Sequence, residues 1–367
     1  MAEAWKDKIN EASLREFALV VKSAYEPFQV DDFISSVMDE TWNSLELMAR
    51  GKQICLNLGK FLPNDYAQAI AILDKVISSH NALEIFCIPT FIEVFGQDEE
   101  NWDVSIGAME RFTEFASCEF TVRPFIIKHE KRMMEQMYAW SKHKNENVRR
   151  LSSEGCRPAL PWGQALNSFK KDPSPVLPIL TQLKTDPSAF VRKSVANNLN
   201  DISKTHPDLI AKLSKDWYGK TELTDWIVKH GCRTLLKKGN RDVLAIFGFS
   251  DVSSVEVSDF MIVADKAGKI PSYKIGDEFS FSFVLTAKEA TKARLEYGID
   301  YVKANGKRNR KIFQISELPL KANQRKPYTR KHSFEDLSTR RHYPGVHSVT
   351  LIVNGTERGT LDFELLN

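Results

Sequence analysis

Carboxylates set among basic residues at helical spacing are the groups in this chain best suited to chemistry. In Ser153-Glu154-Gly155-Cys156-Arg157-Pro158-Ala159-Leu160-Pro161-Trp162, and again in Ser194-Val195-Ala196-Asn197-Asn198-Leu199-Asn200-Asp201-Ile202, acids lie in strongly basic, helical surroundings. Such a pattern suits chemistry on a bound polyanion. Arg150, Glu154 and Arg157 are spaced i, i+4 and i+7 and form one row; Lys193, Asn197 and Asp201, at i, i+4 and i+8, form another. A shift of 43 residues carries Arg150 onto Lys193 and Glu154 onto Asn197. If the two helices are repeats, Glu154 and Asp201 can approach a common ligand. The alternative is that each acid pairs with its basic helix neighbour, a surface effect of about 0.3 to 0.5 kcal/mol. Trp162 follows Pro158 and Pro161, a stretch that cannot continue a helix and would hold the indole at its exit. There it could stack on a sugar or base, or close a gap between repeats as a core residue. Glu119 sits where the next helix should start, a place the helix dipole alone makes favourable for a carboxylate.

The elements that must position these groups divide into two kinds. Up to about residue 250 the apolar spacing is helical, as in Ile70, Leu73 and Ile77 after a possible Asn64 cap, and in Val191, Val195, Leu199 and Ile202 after Asp186-Pro187. Val148-Arg149-Arg150, Val191-Arg192-Lys193 and Cys232-Arg233 recur with their arginines 43 and 41 residues apart, inside the roughly 40 to 47 of HEAT and armadillo helix pairs. Beyond Gly248 to Ser253 the period becomes two: Phe279, Phe281 and Phe283 alternate with Ser280 and Ser282. Val349 to Val353, a turn over 354–359, and Thr360 to Leu365 read as a hairpin. The expected fold is multidomain, α then β: an all-α HEAT-like solenoid over 1–250, followed by an immunoglobulin-like β-sandwich over 251–367 that lacks the Cys…Trp…Cys hallmark.

The formal net charge of +3 conceals an uneven distribution. Residues 1–121 carry 9 Lys and Arg against 21 Asp and Glu, residues 122–250 carry 23 against 12, and residues 251–367 carry 19 against 15. A basic middle beside an acidic start fits one face for phosphates and another for solvent or a different partner. Arg149, Arg150, Arg157, Arg192 and Lys193 are the candidate phosphate row. In the strand half, 303–341 holds 12 basic residues against 3 acidic ones. Its turn at Asn305-Gly306, with Lys303, Lys307, Arg308 and Arg310, could enter a minor groove or track phosphates, or be a solvated loop. The five cysteines are scattered without CxxC spacing, so neither disulfides nor zinc are expected. No apolar run approaches the roughly 20 residues of a membrane span, and the start lacks the order of a signal peptide, which points to the cytoplasm. Phosphate-cradling glycine loops, HExxH and GxSxG are absent, and no metal or organic cofactor is expected.

Taken together, the run at 153–162, Pro173-Ser174-Pro175-Val176-Leu177-Pro178-Ile179-Leu180, and Val191-Arg192 through Asn200-Asp201-Ile202 resemble the bacterial alkylpurine DNA glycosylases of the AlkC branch. The resemblance covers about residues 1–245, and the basic immunoglobulin-like appendage is similar to one found in a subset of that branch. It implies HEAT-like repeats, a monomer acting at the nucleoid, and monofunctional removal of cationic N3-alkylated bases, chiefly 3-methyladenine and 3-methylcytosine, from duplex DNA. It also implies that the family's acids fall on Glu119, Glu154 and Asp201, with Asp201 nearest the water and the developing sugar cation, and its aromatic neighbour on Trp162. Ala159 stands where another basic residue is usual, and Asn198 where histidine is frequent. An already cationic base needs no general acid to leave, so fixed carboxylates beside an oxocarbenium-like sugar would suffice. The competing readings are a non-catalytic damaged-DNA-binding or architectural protein, and a HEAT scaffold whose acidic first 121 residues bind another protein.

Overall fold

A computed structural model describes residues 5–78, 84–249, 253–263, 270–337 and 340–367. The chain forms two compact units: Met1–His206 with Gly219–Gly231, and Pro207–Tyr218 with Cys232–Asn367. The expected boundary between 250 and 251 lies outside the described residues. The second unit nevertheless begins before it, because three short helices, Pro207–Trp217, Arg233–Lys237 and Arg241–Ile246, belong to the strand-bearing unit.

The first unit is helical. Its helices bury the stripes that the spacing predicts: Ile70, Leu73 and Ile77 in Tyr66–Ile77, and Val191, Val195, Leu199 and Ile202 in Ala189–Ile202. The cap of the former is Asp65 rather than Asn64, its side chain accepting from Gln68 N at 2.8 Å. Asp186 does not cap Ala189–Ile202 either; that position is Ser188, and the Asp186 carboxylate is taken by Arg149 through Nε at 2.6 Å and Nη2 at 3.1 Å. The same carboxylate also accepts from Ser188 N at 2.9 Å, so Asp186 orders the turn before the helix while it holds the guanidinium.

The repeat is visible in individual hydrogen bonds. Arg149 Nη1 donates to the carbonyls of His143 and Lys144 at 3.0 and 2.9 Å, and Arg192 Nη1 donates to those of Asp186 and Pro187, both at 2.8 Å. Donor and acceptors alike are displaced by 43 residues. Each arginine thus ties the start of a helix to the loop before it. The Glu146–Glu154 helix packs on Ala189–Ile202, which packs on Glu222–Gly231. Small residues allow the approach: Ser153 and Ser194 share a 2.7 Å hydroxyl bond, Asn198 Nδ2 donates to Ser153 O at 2.8 Å, and a Cβ on Gly231 would meet Leu199 Cβ at 3.0 Å.

The strands of the second unit make two sheets. β1 (Val255–Val263), β3 (Glu278–Ala287) and β6 (Arg325–Ser333) form one in the order β1-β3-β6. β2 (Ser272–Lys274), β8 (Thr356–Leu366), β7 (Gly345–Val353), β4 (Thr291–Val302) and β5 (Arg308–Leu320) form the other in the order β2-β8-β7-β4-β5. Phe279, Phe281 and Phe283 all point into the core, as period-two alternation requires. The β7–β8 turn is tighter than the expected 354–359. Asn354 and Gly355, at φ 49° and 71°, make it alone, and β8 resumes at Thr356. The positive φ values suit a two-residue hairpin turn. A Cβ on Gly355 would lie 2.6 Å from Leu244 Cδ1 and 2.8 Å from Gly239 Cα, so this turn must present bare backbone to the Arg241–Ile246 helix.

Candidate functional site

Three acids and three bases alternate in one connected series. Glu119 Oε2 accepts from Arg150 Nη1 and, at 2.9 Å, from Ser117 Oγ. Arg150 Nη2 lies 3.5 Å from Glu154 Oε1, which also accepts from Arg157 Nη1 at 2.6 Å. Arg157 Nε then donates to Asp201 Oδ2 at 2.8 Å, and Lys204 Nζ to Asp201 Oδ1 at 2.9 Å. Glu154, Arg157 and Asp201 are buried. Burial works against the Arg157 cation most strongly, but Glu154 and Asp201 together raise its pKa above the ordinary arginine value. Glu154 and Asp201 therefore converge on one guanidinium from helices a repeat apart. The alternative of separate pairs along each helix survives only in part, as Arg150 with Glu154 and Lys204 with Asp201.

Glu119, Glu154 and Arg157 open onto a cleft of about 560 Å³, which Trp162 also lines. Glu119 and Glu154 each use one carboxylate oxygen in the bonds above. Among the described residues their second oxygens accept no hydrogen bond, though the bonds to the first fix their orientation. Asp201 differs: both its oxygens are engaged, and it stands behind Arg157, outside the cleft lining.

Trp162 is 81% exposed, with φ at +64°. A tryptophan in the left-handed region with its indole in solvent is costly, and is held only where surrounding structure dictates it. Arg123 supplies that constraint. Its Nη1 donates to the carbonyls of Gly155 and Arg157 at 2.8 and 2.9 Å, and its Nε to that of Gln164 at 2.5 Å, gripping both ends of the loop. Burial lowers the Arg123 pKa to about 10. Sequence reasoning missed Arg123, whose acceptors lie 32, 34 and 41 residues away. It also missed Lys204, for which the i+3 spacing from Asp201 was an available signal.

The remaining candidates are dispersed. Arg149 and Arg192 spend their guanidinium groups on loop carbonyls and Asp186, Arg150 also covers the Phe190 ring at 4.9 Å, and Lys193 is exposed. In the second unit, Lys303, Asn305, Gly306 and Lys307 do form the β4–β5 hairpin tip. Gly306 has φ +73°, Lys303 N donates to Lys307 O at 2.9 Å, and Lys303 and Asn305 border a shallow depression with Arg340 and Arg341. Arg308 and Arg310 lie on β5 instead. Arg308 donates to Ser348 Oγ at 2.9 Å, while Arg310 is paired with Asp300 at 2.9 and 2.8 Å and with Glu357, which raise its pKa. Among the described residues no cluster could hold a metal ion, and no helix is long and apolar enough to cross a membrane.

Paired helices carrying an arginine-bound acid series and an outward-facing tryptophan, in a chain that continues into an immunoglobulin-like unit, define a helical-repeat protein whose cleft sets carboxylates among apolar walls. A family model described as "DNA alkylation repair enzyme" matches residues 55–239, and one for the "C-terminal Ig-like domain" of YhaZ matches 263–367. The "Uncharacterized protein YhaZ" of Bacillus subtilis (strain 168) is 43% identical over 360 residues, covering 98% of this chain and 99% of that one. The solved structure of the Pseudomonas fluorescens alkylpurine DNA glycosylase AlkC, bound to DNA containing an abasic site analog, matches with a TM-score of 0.93 and 33% identity over 100% of both chains. The chain belongs to the DNA alkylation repair enzyme family.

Proposed function

We propose that this protein is a monofunctional DNA glycosylase that hydrolyses the N-glycosidic bond of bases made cationic by N3 alkylation, 3-methyladenine and 3-methylcytosine, in duplex DNA. The observation that carries this reading is the pair of carboxylates, Glu119 and Glu154, each pinned through one oxygen to an arginine and sharing a cleft with exposed Trp162. Preorganised negative groups stabilise charge that develops during reaction without reorganising to do so. As the bond breaks, its electron pair goes to the base, which becomes neutral, and the positive charge passes to the sugar. Glu154 accepts a proton from the attacking water, with Glu119 adding to the field. Asp201 joins them when a DNA phosphate draws Arg157 from its Nε bond. Trp162 packs against the lesion nucleotide, and Lys193 with the β4–β5 hairpin tip meets phosphates. The likeness to AlkC in complex with abasic-analogue DNA supports this reading, since a deoxyribose without its base is what such hydrolysis leaves.

The test is a mass-spectrometric inventory of bases released from methylated duplex DNA. Free 3-methyladenine and 3-methylcytosine are expected from the wild type and not from Glu154→Gln; equal release from both would sink the assignment. A second reading, damaged-DNA binding without catalysis, is favoured by the full engagement of Asp201. Lesion binding without any base release would establish it.

A further inference from the structure

The cleft holds one more carboxylate, on a different helix from the acid series. Glu93 belongs to the Glu84–Phe95 helix and lines the cleft with Pro89 and Thr90, residues that share its helix face. It is half-buried, and among the described residues its carboxylate takes no hydrogen bond and no ion pair. Lys52 from the Leu47–Phe61 helix lines the same cleft and acts on it only at a distance. Burial raises the Glu93 pKa, and Lys52 opposes that shift. The contrast with Glu119, Glu154 and Asp201 is physical. Those three are bonded to Arg150, Arg157 and Lys204 and are locked in place, whereas among the described residues Glu93 has only the distant charge of Lys52 and no bond to lock it.

A half-buried carboxylate without a partner costs free energy in the empty cleft, and a cation entering beside it removes that cost. We propose that Glu93 is the group by which the cleft selects a positively charged base over a neutral one; this rests on the glycosylase reading above. The flat apolar surfaces that share the cleft, Pro89, Phe120 and Trp162, suit a planar ring. The timing of charge assigns Glu93 to the base rather than the sugar. The base is cationic before the bond breaks and neutral after it, so a carboxylate at the base stabilises the bound substrate and not the transition state. Rigid, preorganised acids suit the sugar; a free one suits recognition.

The experiment uses the full chain and duplexes that differ at one position, 3-methylcytosine against cytosine. Binding and single-turnover base release are measured for wild type, Glu93→Gln and Glu93→Asp. Glu93→Gln is expected to lose a lesion preference of roughly tenfold, the size of one charge-assisted contact. The half-saturating concentration should rise and the maximal rate should rise rather than fall, because an interaction lost from the bound substrate alone adds nothing to the barrier; Glu93→Asp should keep part of the preference. Thermal melting matched to the wild type shows that the variants fold. Retention of the full preference by Glu93→Gln overturns the inference, and so does a fall in maximal rate at unchanged half-saturation, which would put Glu93 at the sugar. If the wild type prefers the lesion duplex but releases no base, the glycosylase reading falls while charge selection by Glu93 is still decided by the binding arm. A wild type without lesion preference ends both.

Discussion

A guanidinium shared by two buried carboxylates makes substitutions around it unequal. Removing Arg157 takes the shared partner from two buried carboxylates, leaving Glu154 only Arg150 at 3.5 Å and Asp201 only Lys204, and breaking a buried pair costs up to about 3 to 5 kcal/mol. Arg157→Ala should therefore unfold at markedly lower denaturant. Asp201→Asn is milder, because Arg157 keeps Glu154. It is expected to retain DNA binding and lose most release of 3-methyladenine, read as single-turnover rate beside an electrophoretic binding isotherm; near wild-type release would remove Asp201 from the reaction. Arg123→Ala deprives the carbonyls of Gly155, Arg157 and Gln164 of a donor and opens a cavity, a loss of about 3 kcal/mol or more. Chemical denaturation measures it.

At the scale of elements, the 155–164 loop and the β4–β5 hairpin present side chains outward for opposite reasons. The loop is over-determined by Arg123, so its tryptophan is fixed although exposed. Trp162→Ala should change stability by no more than about 0.5 kcal/mol, as for other exposed sites, yet weaken lesion-DNA binding by about 1 to 3 kcal/mol if the indole stacks on a base. A variant that lost stability and binding together would argue for a packing role. In the hairpin, the charges of Lys303 and Lys307 serve phosphates only if they are not already compensated. Neutralising both is expected to flatten the slope of log K against log salt by about 2. Arg310→Gln should leave that slope unchanged and lower stability instead, because Asp300 and Glu357 hold its charge within the sheet.

For the whole molecule, pH dependence enters through the core of the sandwich. His332 is buried between Tyr297 and Tyr301, whose hydroxyls lie 3.0 and 2.7 Å from its two ring nitrogens, and burial first, then Arg340, lowers its pKa to about 4. The fold therefore prefers the neutral ring. Its contribution is complete above the unfolded value of 6.5 and erodes as pH falls toward 4, by at most about 3 kcal/mol. His342 and His347, also lowered by burial, act in the same direction. Unfolding midpoints should decline from about pH 7 to about pH 5, and His332→Gln should flatten that decline; a flat wild-type profile would contradict the assignment.

Local pattern sufficed for the elements and for part of the cleft lining. Apolar periodicity marked the helices and strands because 3.6 and 2 are properties of short segments, and the arginines 43 residues apart marked a repeat whose hydrogen bonds proved to be displaced by the same interval. Glu119, Glu154 and Trp162 were identifiable from their motifs and do line one cleft. Which charges remain available was decided by tertiary structure alone. Arg149 and Asp186 pair across 37 residues, Arg157 and Asp201 across 44, and packing brings no cation of the described residues within bonding distance of the Glu93 carboxylate. Compensation of a charge depends on neighbours a few ångströms away in space, and spacing along a chain does not encode that distance.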